Sequence, residues 1–386
     1  MRAIRNFVDK IKPTFAKGGK LGFLESTFEA FETFLFVPNT TTRRGAHIRD
    51  CNDMKRTMIM VVVALVPALL FGMYNAGYQH FLSQGVAAPE FWASFWFGFL
   101  KVLPMIVVSY VVGLGIEFAF AQMRGHEVNE GFLVTGLLIP MIMPVDIPLW
   151  MLGLSTAFAV IFAKEVFGGT GMNVFNPALV ARVFAFFAYT PAMSGAKVWI
   201  AGMTAGEGVV DGFSGATPLE NLVTNGTMGY SPMDAFLGFI PGSVGETSTL
   251  AILIGAAILL FTGIASWRTM CSVFAGGLVM ALVFNLFGTS EYAQIPCWHH
   301  LIVGGFAFGA VFMATDPVTS AQTAAGQYIV GFLIGLLAVL TRVINPAYPE
   351  GMMLAILFMN ALAPLVDYYV VEASIKRRNK RITTAK

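Results

Sequence analysis

Two groups of apolar segments, separated by a polar insert over residues 189–247, constrain the fold of this chain more than any other feature. Each group contains five segments, and several are long enough to cross a lipid bilayer as helices. Charged residues make up 12% of the chain, about half the fraction expected of a soluble protein. The sequence therefore predicts an all-α polytopic membrane protein with about ten transmembrane helices.

The ten segments differ in length, and the short ones predict helices that stop inside the membrane. They cover residues 57–77, 95–121, 131–143, 149–167, 176–188, 248–266, 270–287, 300–313, 327–340 and 351–366. The segment at 131–143 ends among prolines and is too short to span at about 1.5 Å per residue. Residues 78–94 are expected to form a connector with an aromatic patch at the membrane interface.

A weak internal repeat relates the two groups. In each, a glycine pair is followed after about eight to twelve residues by a polar residue and a proline, at 168–177 and at 304–317. Inverted repeats with broken helices place binding sites near the middle of the membrane, where helix ends supply N–H and C=O groups. Chance similarity between glycine-rich membrane segments is the alternative.

The distribution of basic residues predicts the orientation. Seventeen of the 24 Lys and Arg residues lie in residues 1–56 (eleven) or 376–386 (six). Cytoplasmic flanks collect positive charge, so we expect both termini in the cytoplasm and the insert on the other face. No cleavable secretory signal is expected, because no apolar stretch precedes residue 57.

These boundaries divide the chain into five predicted regions. They are a basic cytoplasmic extension (1–56), a first membrane repeat (57–188), an extracytoplasmic insert (189–247), a second membrane repeat (248–367) and a basic cytoplasmic tail (368–386). Aromatic residues between 23 and 36 recur at roughly helical spacing. This pattern indicates either an amphipathic helix on the membrane surface or a face docked on another subunit.

Cysteine and histidine are sparse. Cys51, Cys271 and Cys297 are too widely spaced for a disulfide framework or an iron–sulfur cluster, so any such cluster would need ligands from another subunit. The His299-His300 pair is expected at the membrane interface, with metal or haem binding as the alternative. No metal site is predicted, and no nucleic acid is expected as a partner.

Ionisable residues inside the apolar segments are few, so each is informative. Five that lie within these segments or at their ends are Glu117, Lys164, Glu165, Asp316 and Asp367. A lone charge at the bilayer centre costs a few kcal/mol, so such residues usually face a cavity, a partner or an ion path. Glu117 has no oppositely charged neighbour in sequence, which favours an ion or proton role or a cationic partner on another subunit. Lys164 and Glu165 form either a functional pair or an interfacial one.

A polar stretch at 168–178 interrupts the first group. The amides of Asn173 and Asn176 could bond to a neutral ring system, and the glycines would let backbone approach it. No lysine follows the glycines, which argues against a phosphate-binding P-loop. The alternative is a broken helix whose asparagines satisfy its own freed backbone groups.

The insert contains a loop rich in small residues, at 211–219. Its glycines predict an exposed, flexible loop that a modifying enzyme could reach. The stretch resembles the D-G-x-S/T-G-A-T acceptor motif of flavin transferase, in which the threonine hydroxyl bonds to the phosphate of FMN. Thr217 occupies that position, and a plain surface turn is the alternative.

Together these features resemble the B-subunit family of the Na⁺-translocating NADH:quinone oxidoreductases, over essentially the whole chain. The stretches that carry the resemblance are residues 55–56, 126–131, 168–178, 211–217, 314–317 and 345–351. The flavin motif and the glycine–asparagine stretch also occur in the D subunit of the Rnf complex. The basic extension with residues 47–50 favours the quinone-reducing family.

The resemblance implies a fold and two flavins. The fold is ten transmembrane helices in two inverted repeats of five with broken half-helices, similar to the urea transporter fold. FMN is expected to be covalently attached to Thr217, within a loop that also supplies Asp211, Ser214 and Gly215. Riboflavin is expected to bind non-covalently near Gly168, Gly169, Asn173 and Asn176.

The resemblance also implies quinone and ion contacts. Gly113 matches the first glycine of the family's quinone-site pair, but Leu114 replaces the second and Gly115 follows one position later. Glu117 and Asp367 match acidic residues tied to Na⁺ passage. Asp316 is a further candidate for the ion path.

The implied function is that of a membrane subunit that carries electrons from FMN to riboflavin and on to quinone, coupled to Na⁺ export across the bacterial inner membrane. The implied partners are the other subunits (types A, C, D, E and F), quinone, Na⁺ and a flavin transferase. NADH oxidation is assigned to a partner, since no G-x-G-x-x-G motif follows a strand. The alternatives are an Rnf-type ferredoxin:NAD subunit and a passive channel of the urea transporter type.

Overall fold

The structure, a computed structural model, describes residues 2–15, 22, 28, 32, 36, 44–46, 54–124, 131–206, 209–210, 212–345 and 350–384. Within these residues the regular elements are helices and no strand occurs, which confirms the all-α class. The stretch at 47–50, most of the aromatic pattern between 23 and 36, and Asp211 lie outside the described residues.

The helices differ widely in length. In chain order they are α1 (Arg2–Phe15), α2 (Met54–Ser83), α3 (Phe91–Arg124), α4 (Phe132–Met141), α5 (Leu149–Phe158), α6 (Pro177–Ala188), α7 (Thr190–Met193), α8 (Pro218–Asn225), α9 (Pro232–Leu237), α10 (Thr249–Phe261), α11 (Trp267–Phe287), α12 (His299–Ile302), α13 (Phe306–Phe308), α14 (Ala324–Ile344) and α15 (Met352–Thr384). α5 and α13 continue as π-helices over Ala159–Glu165 and Gly309–Met313.

Five of the described helices are long and apolar enough to cross a membrane, namely α2, α3, α11, α14 and α15. Three shorter apolar helices, α4, α6 and α10, have 10, 12 and 13 residues. The prediction of a multi-pass helical membrane protein is therefore confirmed. The short α4 also agrees with a segment that cannot span by itself.

The first two long helices extend further than the sequence predicts. α2 ends at Ser83 and α3 begins at Phe91, so the prediction of a connector over 78–94 is wrong. The insert contacts these last turns, since His80 Nδ1 lies 2.6 Å from the carbonyl oxygen of Ala201. The side-chain amide of Asn75 donates to the carbonyl oxygen of Ile240 at 2.9 Å.

The last helix, α15, continues through the predicted boundary between the second repeat and the basic tail. The apolar pattern predicts an end near residue 366, yet the helix reaches Thr384. Glutamate, lysine and arginine are good helix formers, and the exposed Glu372 and Lys376 form an i,i+4 ion pair at 2.9 Å. Helix propensity therefore sets the length of α15 beyond its apolar part.

Both groups of helices contain a break next to a π-helix. In the first, Ala159–Glu165 is followed by Gly168 and Gly169, with φ of 121° and 98°. In the second, Gly304, with φ of 67°, comes before α13 and the π-helix Gly309–Met313. Such angles favour glycine, and π-helices are frequent at functional sites. The helix break predicted at the first glycine pair is confirmed.

α2 runs from a cleft near its first turns to the insert. Thr57 in its first turns lines that cleft. Further along, Asn75 bonds to Ile240, and His80 Nδ1 lies 2.6 Å from the carbonyl oxygen of Ala201. The roughly 18 residues from Thr57 to Asn75 correspond to about 27 Å, close to the hydrocarbon core of about 30 Å. The cleft and the insert thus lie toward opposite ends of α2.

α15 runs in the corresponding direction at the other end of the chain. Glu350, just before it, lines a cleft with Ile240 of the insert. Asp367 accepts a hydrogen bond from the backbone N–H of Thr323 at 3.0 Å, next to the loop whose Val318 lines the same cleft as the start of α2. The start of α2 and the end of α15 therefore lie on one side, opposite the insert.

Candidate functional site

Thr217 caps a helix at the rim of a cleft on the insert side. Its Oγ1 accepts a hydrogen bond from the N–H of Glu220 at 3.2 Å, as the N-cap of α8. N–H groups at a helix N-terminus favour negative charge, so a phosphate on this oxygen would be stabilised there. Burial raises the pKa of Glu220, the residue whose N–H donates to Thr217.

The loop before Thr217 is more buried than the sequence indicates. Gly212 is exposed, with φ of 84°, but Gly215 and Ala216 are buried. The prediction of an exposed, flexible loop is therefore wrong for its second half. The phenolic O–H of Tyr230 donates to the carbonyl oxygen of Ala216 at 3.4 Å and helps to hold it.

Gly215 is needed for close packing. A Cβ atom there would lie 2.9 Å from Cδ1 of Ile200 and 3.0 Å from Sδ of Met203, both closer than ordinary contact. Ser214 supports the same turn, because its Oγ accepts from the N–H of Ala216 at 3.3 Å. Gly215 and Ser214 thus shape the loop that presents Thr217.

We call the space beside this loop the Thr217 cleft. Phe186 and Trp199 provide aromatic surface, while Ser243 and Glu246 provide polar surface, and the enclosed space with its open mouth is about 620 Å³. Small-molecule sites typically combine apolar walls with a few polar groups, as this lining does. A planar aromatic ring joined to Thr217 could pack here.

A buried ion cluster lies at the floor of the Thr217 cleft. The guanidinium of Arg182 donates to both carboxylate oxygens of Glu246 at 2.8 Å, to Oγ of Ser243 at 3.2 Å and to the carboxylate of Glu350. Arg182 is 3% exposed. Its role was not predicted from the sequence, although an arginine inside an apolar segment is a signal that could have found it.

A second arginine, Arg342 on α14, was not predicted either. It is fully buried and donates to the carbonyl oxygen of His300 at 2.7 Å. His300 is 1% exposed, so its side chain is surrounded by protein. The interfacial position of the His299-His300 pair stays a prediction. The residues that the structure describes contain no group of three or more His, Cys, Asp or Glu side chains suited to a metal ion.

We call the second space the Asn176 cleft, and both groups of helices form it. Asn173 and Asn176 line it from the first group, and Asp316 lines it from the second. Its enclosed space, with the open mouth, is about 810 Å³. The polar-proline elements of the internal repeat therefore meet in one cleft. The glycine pair at 168–169 forms the turn next to it.

The two asparagine amides bond to the backbone and also face the cleft. Asn176 Oδ1 accepts from the N–H groups of Ala178 and Leu179 at 3.0 and 3.4 Å, and Asn173 Nδ2 donates to the carbonyl oxygen of Phe175 at 3.0 Å. The alternative, that these amides bond to backbone groups freed by the broken helix, is therefore correct for one atom of each amide. A ligand would meet the amide nitrogen of Asn176 and the amide oxygen of Asn173, one donor and one acceptor.

The charged residues near this cleft pair differently from the prediction. Lys164 donates to the carboxylate of Glu117, and the two side chains are 3% and 4% exposed. Glu165 instead accepts from Arg124 at 3.1 Å. The prediction that Glu117 lacks an oppositely charged neighbour is wrong, and so is a pair between Lys164 and Glu165. The partners lie 47 and 41 positions apart in the chain, so local sequence could not reveal them.

The predicted quinone glycines face opposite directions on α3. Gly113 is buried against the ring of Phe132, so closely that an added Cβ would overlap it. Gly115 is exposed, with nothing within 4 Å of a Cβ placed there. The structure therefore does not bring Gly113 and Gly115 together into one contact surface.

The remaining predicted ion-path residues lie in separate settings. Asp316 Oδ1 accepts from the N–H of Val318 at 3.2 Å, and its Oδ2 accepts from the hydroxyl of Thr319 at 2.9 Å. Asp367 accepts from the N–H of Gln322 at 2.6 Å and from Thr323, and so caps the start of α14. Asp316 lines the Asn176 cleft, whereas Asp367 lies at a helix junction.

These features define a class of protein: a multi-pass helical membrane protein with broken helices, a helix-capping threonine at a cleft on the insert side and a polar cleft toward the other side. The NQR2, RnfD, RnfE family model matches residues 41–376. The chain belongs to the NQR2, RnfD, RnfE family.

Relatives with similar sequences share one name, that of the B subunit of the Na(+)-translocating NADH-quinone reductase. The relative from Chromohalobacter salexigens is 48% identical over 404 residues, covering 98% of this chain and 96% of the relative. The proteins of the same name from Stutzerimonas stutzeri and Azotobacter vinelandii are 47% and 46% identical, each covering 98% of this chain and 99% of the relative. The predicted resemblance to the B-subunit family is confirmed.

Proposed function

We propose that this chain is the membrane B subunit of a Na⁺-translocating NADH:quinone reductase. In this role it carries electrons from a covalent FMN on Thr217 to a riboflavin in the Asn176 cleft and on to quinone, coupled to Na⁺ export. The observation that carries the proposal is the location of the two clefts toward opposite ends of α2. An electron that passes between them crosses the hydrocarbon core.

The residues around Thr217 fit a phosphate-linked flavin. The hydroxyl group stands at the N-terminus of α8, where a phosphodiester gains from the helix dipole. Gly215 lets the loop pack tightly, and Trp199 with Phe186 offers aromatic surface for a ring. FMN would supply one- and two-electron redox chemistry here, while the protein supplies position and electrostatics.

The Asn176 cleft fits the neutral edge of a flavin ring. The pyrimidine part of that ring alternates hydrogen-bond donor and acceptor atoms, which matches the remaining donor of Asn176 and acceptor of Asn173. Riboflavin lacks a phosphate, in agreement with the absence of a P-loop lysine after the glycine turn. The carboxylate of Asp316, which also lines this cleft, is suited to accept a hydrogen bond from a ring N–H or from a ribityl hydroxyl group.

The positions of the helix ends support a specific orientation. Seventeen of the 24 Lys and Arg residues lie in the chain up to the first turn of α2 (residues 1–56) or at the end of the chain (residues 376–386). The start of α2 and the end of α15 lie on one side, which we assign to the cytoplasm. The Thr217 loop is then periplasmic. We also propose ten spans in two inverted repeats within the bacterial inner membrane, since each half contributes a π-helix and a polar-proline turn to the Asn176 cleft.

The reaction requires partners. Exporting one Na⁺ costs about 2.3 kcal/mol per 100 mV, and electron flow from NADH to quinone supplies the free energy.

NADH oxidation and any iron–sulfur cluster belong to other subunits of the complex, while a flavin transferase loads Thr217. Quinone is reduced on the side of the Asn176 cleft. We propose that the chain is divided into the five regions predicted from its sequence, with the insert on the periplasmic side and the two basic ends in the cytoplasm.

Flavin fluorescence in denaturing gels tests the proposal. The chain is co-expressed with a flavin transferase as wild type, Thr217→Ala and, as a matched control, Thr227→Ala at an exposed threonine of the same insert. Fluorescence is expected in the wild type and the control and absent from Thr217→Ala. A dark wild-type band, with the transferase active on another substrate, would favour the channel alternative. If the purified complex reduces quinone but no quinone-site inhibitor affects that reduction, the Rnf alternative is favoured.

A further inference from the structure

Lys164 lines the Asn176 cleft and also belongs to a buried ion pair. Its side chain lines the cleft together with Asn176 and Asp316, and its Nζ donates to the carboxylate of Glu117 on α3. Glu117 is not among the described residues that line the cleft. Lys164 therefore stands between the space that a ligand would occupy and a buried carboxylate.

Lys164 is also the one cationic side chain among the described residues lining this cleft. The facing carboxylate of Asp316 is held within its own turn by Val318 and Thr319. A ligand that gains negative charge in the cleft would therefore attract Lys164. Glu117 is the carboxylate that competes for the same ammonium group.

The surroundings of Lys164 permit a change of partner. It lies in the π-helix Ala159–Glu165, and its carbonyl oxygen accepts from the N–H of Gly169 at 3.1 Å. The ammonium group has three donors on a flexible four-carbon stem. It lies 5.6 Å from the ring centroid of Phe132, an aromatic face that stabilises the cation between the two anionic positions.

We propose that Lys164 couples negative charge in the Asn176 cleft to cation binding at Glu117. When a flavin-type ring in the cleft gains an electron, the ammonium group turns toward the ring and releases the carboxylate of Glu117. The released carboxylate then binds Na⁺. This inference rests on the proposed function and adds to it a positioning residue through which ion uptake responds to electron transfer.

The step is balanced in electrons and charge. One electron passes from the reduced flavin on Thr217 to the ring in the cleft, and no covalent bond forms or breaks. Before the step, Lys164 neutralises Glu117. Afterwards, Lys164 neutralises the ring and Na⁺ neutralises Glu117. A buried charge without a partner is strongly unfavourable, so the electron and the cation enter together.

The test is a redox titration of the non-covalent flavin in the purified complex. Flavin absorbance is recorded at poised potentials in NaCl and in choline chloride of equal ionic strength, for wild type, Lys164→Gln, Lys164→Arg and Glu117→Gln. Acid-extractable riboflavin and gel fluorescence of the covalent flavin are measured on every preparation. Loss of a cofactor is thereby distinguished from a change in its potential.

Opposite changes are expected from the two partners. In the wild type, Na⁺ makes one-electron reduction at least tenfold more favourable than choline does, which corresponds to about 59 mV. Lys164→Gln lowers the potential by at least as much, because the reduced ring loses its counterion. Glu117→Gln raises it, because the ammonium group is released. Both variants abolish the difference between the salts, whereas Lys164→Arg retains it.

Arg124→Gln is the matched control, because Arg124 pairs with Glu165 of the same π-helix and is not among the described residues lining the cleft. It is expected to change the reduction equilibrium less than threefold. Shifts in the same direction for Lys164→Gln and Glu117→Gln, or unchanged salt dependence in both, would overturn the inference and leave the proposed function standing.

Two further outcomes are decisive. If Lys164→Gln does not assemble, Glu117→Gln decides the test, and the absence of a raised potential overturns the inference. A wild-type complex that carries covalent FMN but yields no extractable riboflavin overturns the riboflavin assignment, and the inference with it.

Discussion

Arg182 of α6 binds both carboxylate oxygens of Glu246, each at 2.8 Å, and thereby ties the first group of helices to the end of the insert. The same guanidinium contacts Glu350, which comes just before α15. Three distant parts of the chain therefore meet on one buried cation. This arrangement fixes the floor of the Thr217 cleft.

Arg182→Met is expected to destabilise the protein by about 3–5 kcal/mol, because it leaves the buried carboxylate of Glu246 and the half-buried one of Glu350 without their cation. The measurement is thermal unfolding of the detergent-purified complex, followed by intrinsic fluorescence. Lys376→Met is the control, since it breaks the exposed ion pair with Glu372 and should cost at most about 0.5 kcal/mol. Equal transition temperatures for the two variants would contradict a structural role for Arg182.

Gly215→Ala is expected to reduce covalent flavin several-fold. The added Cβ would lie 2.3 Å from the backbone carbonyl oxygen of Ala196, which cannot move aside as a side chain can, so the loop must shift and Thr217 moves with it. The measurement is gel fluorescence per mole of protein after co-expression with the transferase. Ser214→Ala is the milder comparison, because it removes one hydrogen bond of 3.3 Å without adding volume. Full labelling of Gly215→Ala would show that the loop tolerates displacement.

The sequence predicted those features that depend on local pattern. The lengths of the apolar segments predicted most of the helices. The segment at 131–143, which ends among prolines, forms a helix too short to span, and the helix ends at the glycine pair at 168–169 as predicted. These features depend on hydrophobicity and backbone freedom within a few residues. Local sequence is therefore sufficient for them.

The errors arose where distant residues decide the outcome. Residues 78–94 have polar and aromatic character, and the end of α2 that lies among them contacts the insert through His80 and Ala201, 121 positions apart. Lys164 has an acidic neighbour in sequence but pairs with Glu117 in space. Partners separated by dozens of residues are set by the packing of helices, which periodicity within one segment does not encode.

Gly113→Ala and Gly115→Ala are expected to differ, although they make the same change two positions apart. An added methyl at Gly113 overlaps Phe132 and should cost about 1–3 kcal/mol, whereas Gly115 has open space. Thermal unfolding and the KM for quinone are measured on both. Gly113→Ala combined with Phe132→Leu should regain part of the lost stability. A raised KM for Gly115→Ala with normal stability would indicate that the exposed face contacts quinone directly.

Asp367→Ala is expected to lower stability by about 1.5–3 kcal/mol, because it removes the charged acceptor of three hydrogen bonds at the start of α14. These come from the backbone N–H of Gln322 at 2.6 Å, the N–H of Thr323 at 3.0 Å and the Thr323 hydroxyl at 2.5 Å. Asp367→Asn keeps an acceptor oxygen, so it should lose less stability.

Thermal unfolding and the Na⁺ concentration for half-maximal quinone reduction are measured together. If the residue acts through this cap, the Na⁺ requirement of Asp367→Asn stays within about twofold of wild type. A large rise in that requirement at nearly normal stability would instead place Asp367 on the ion path.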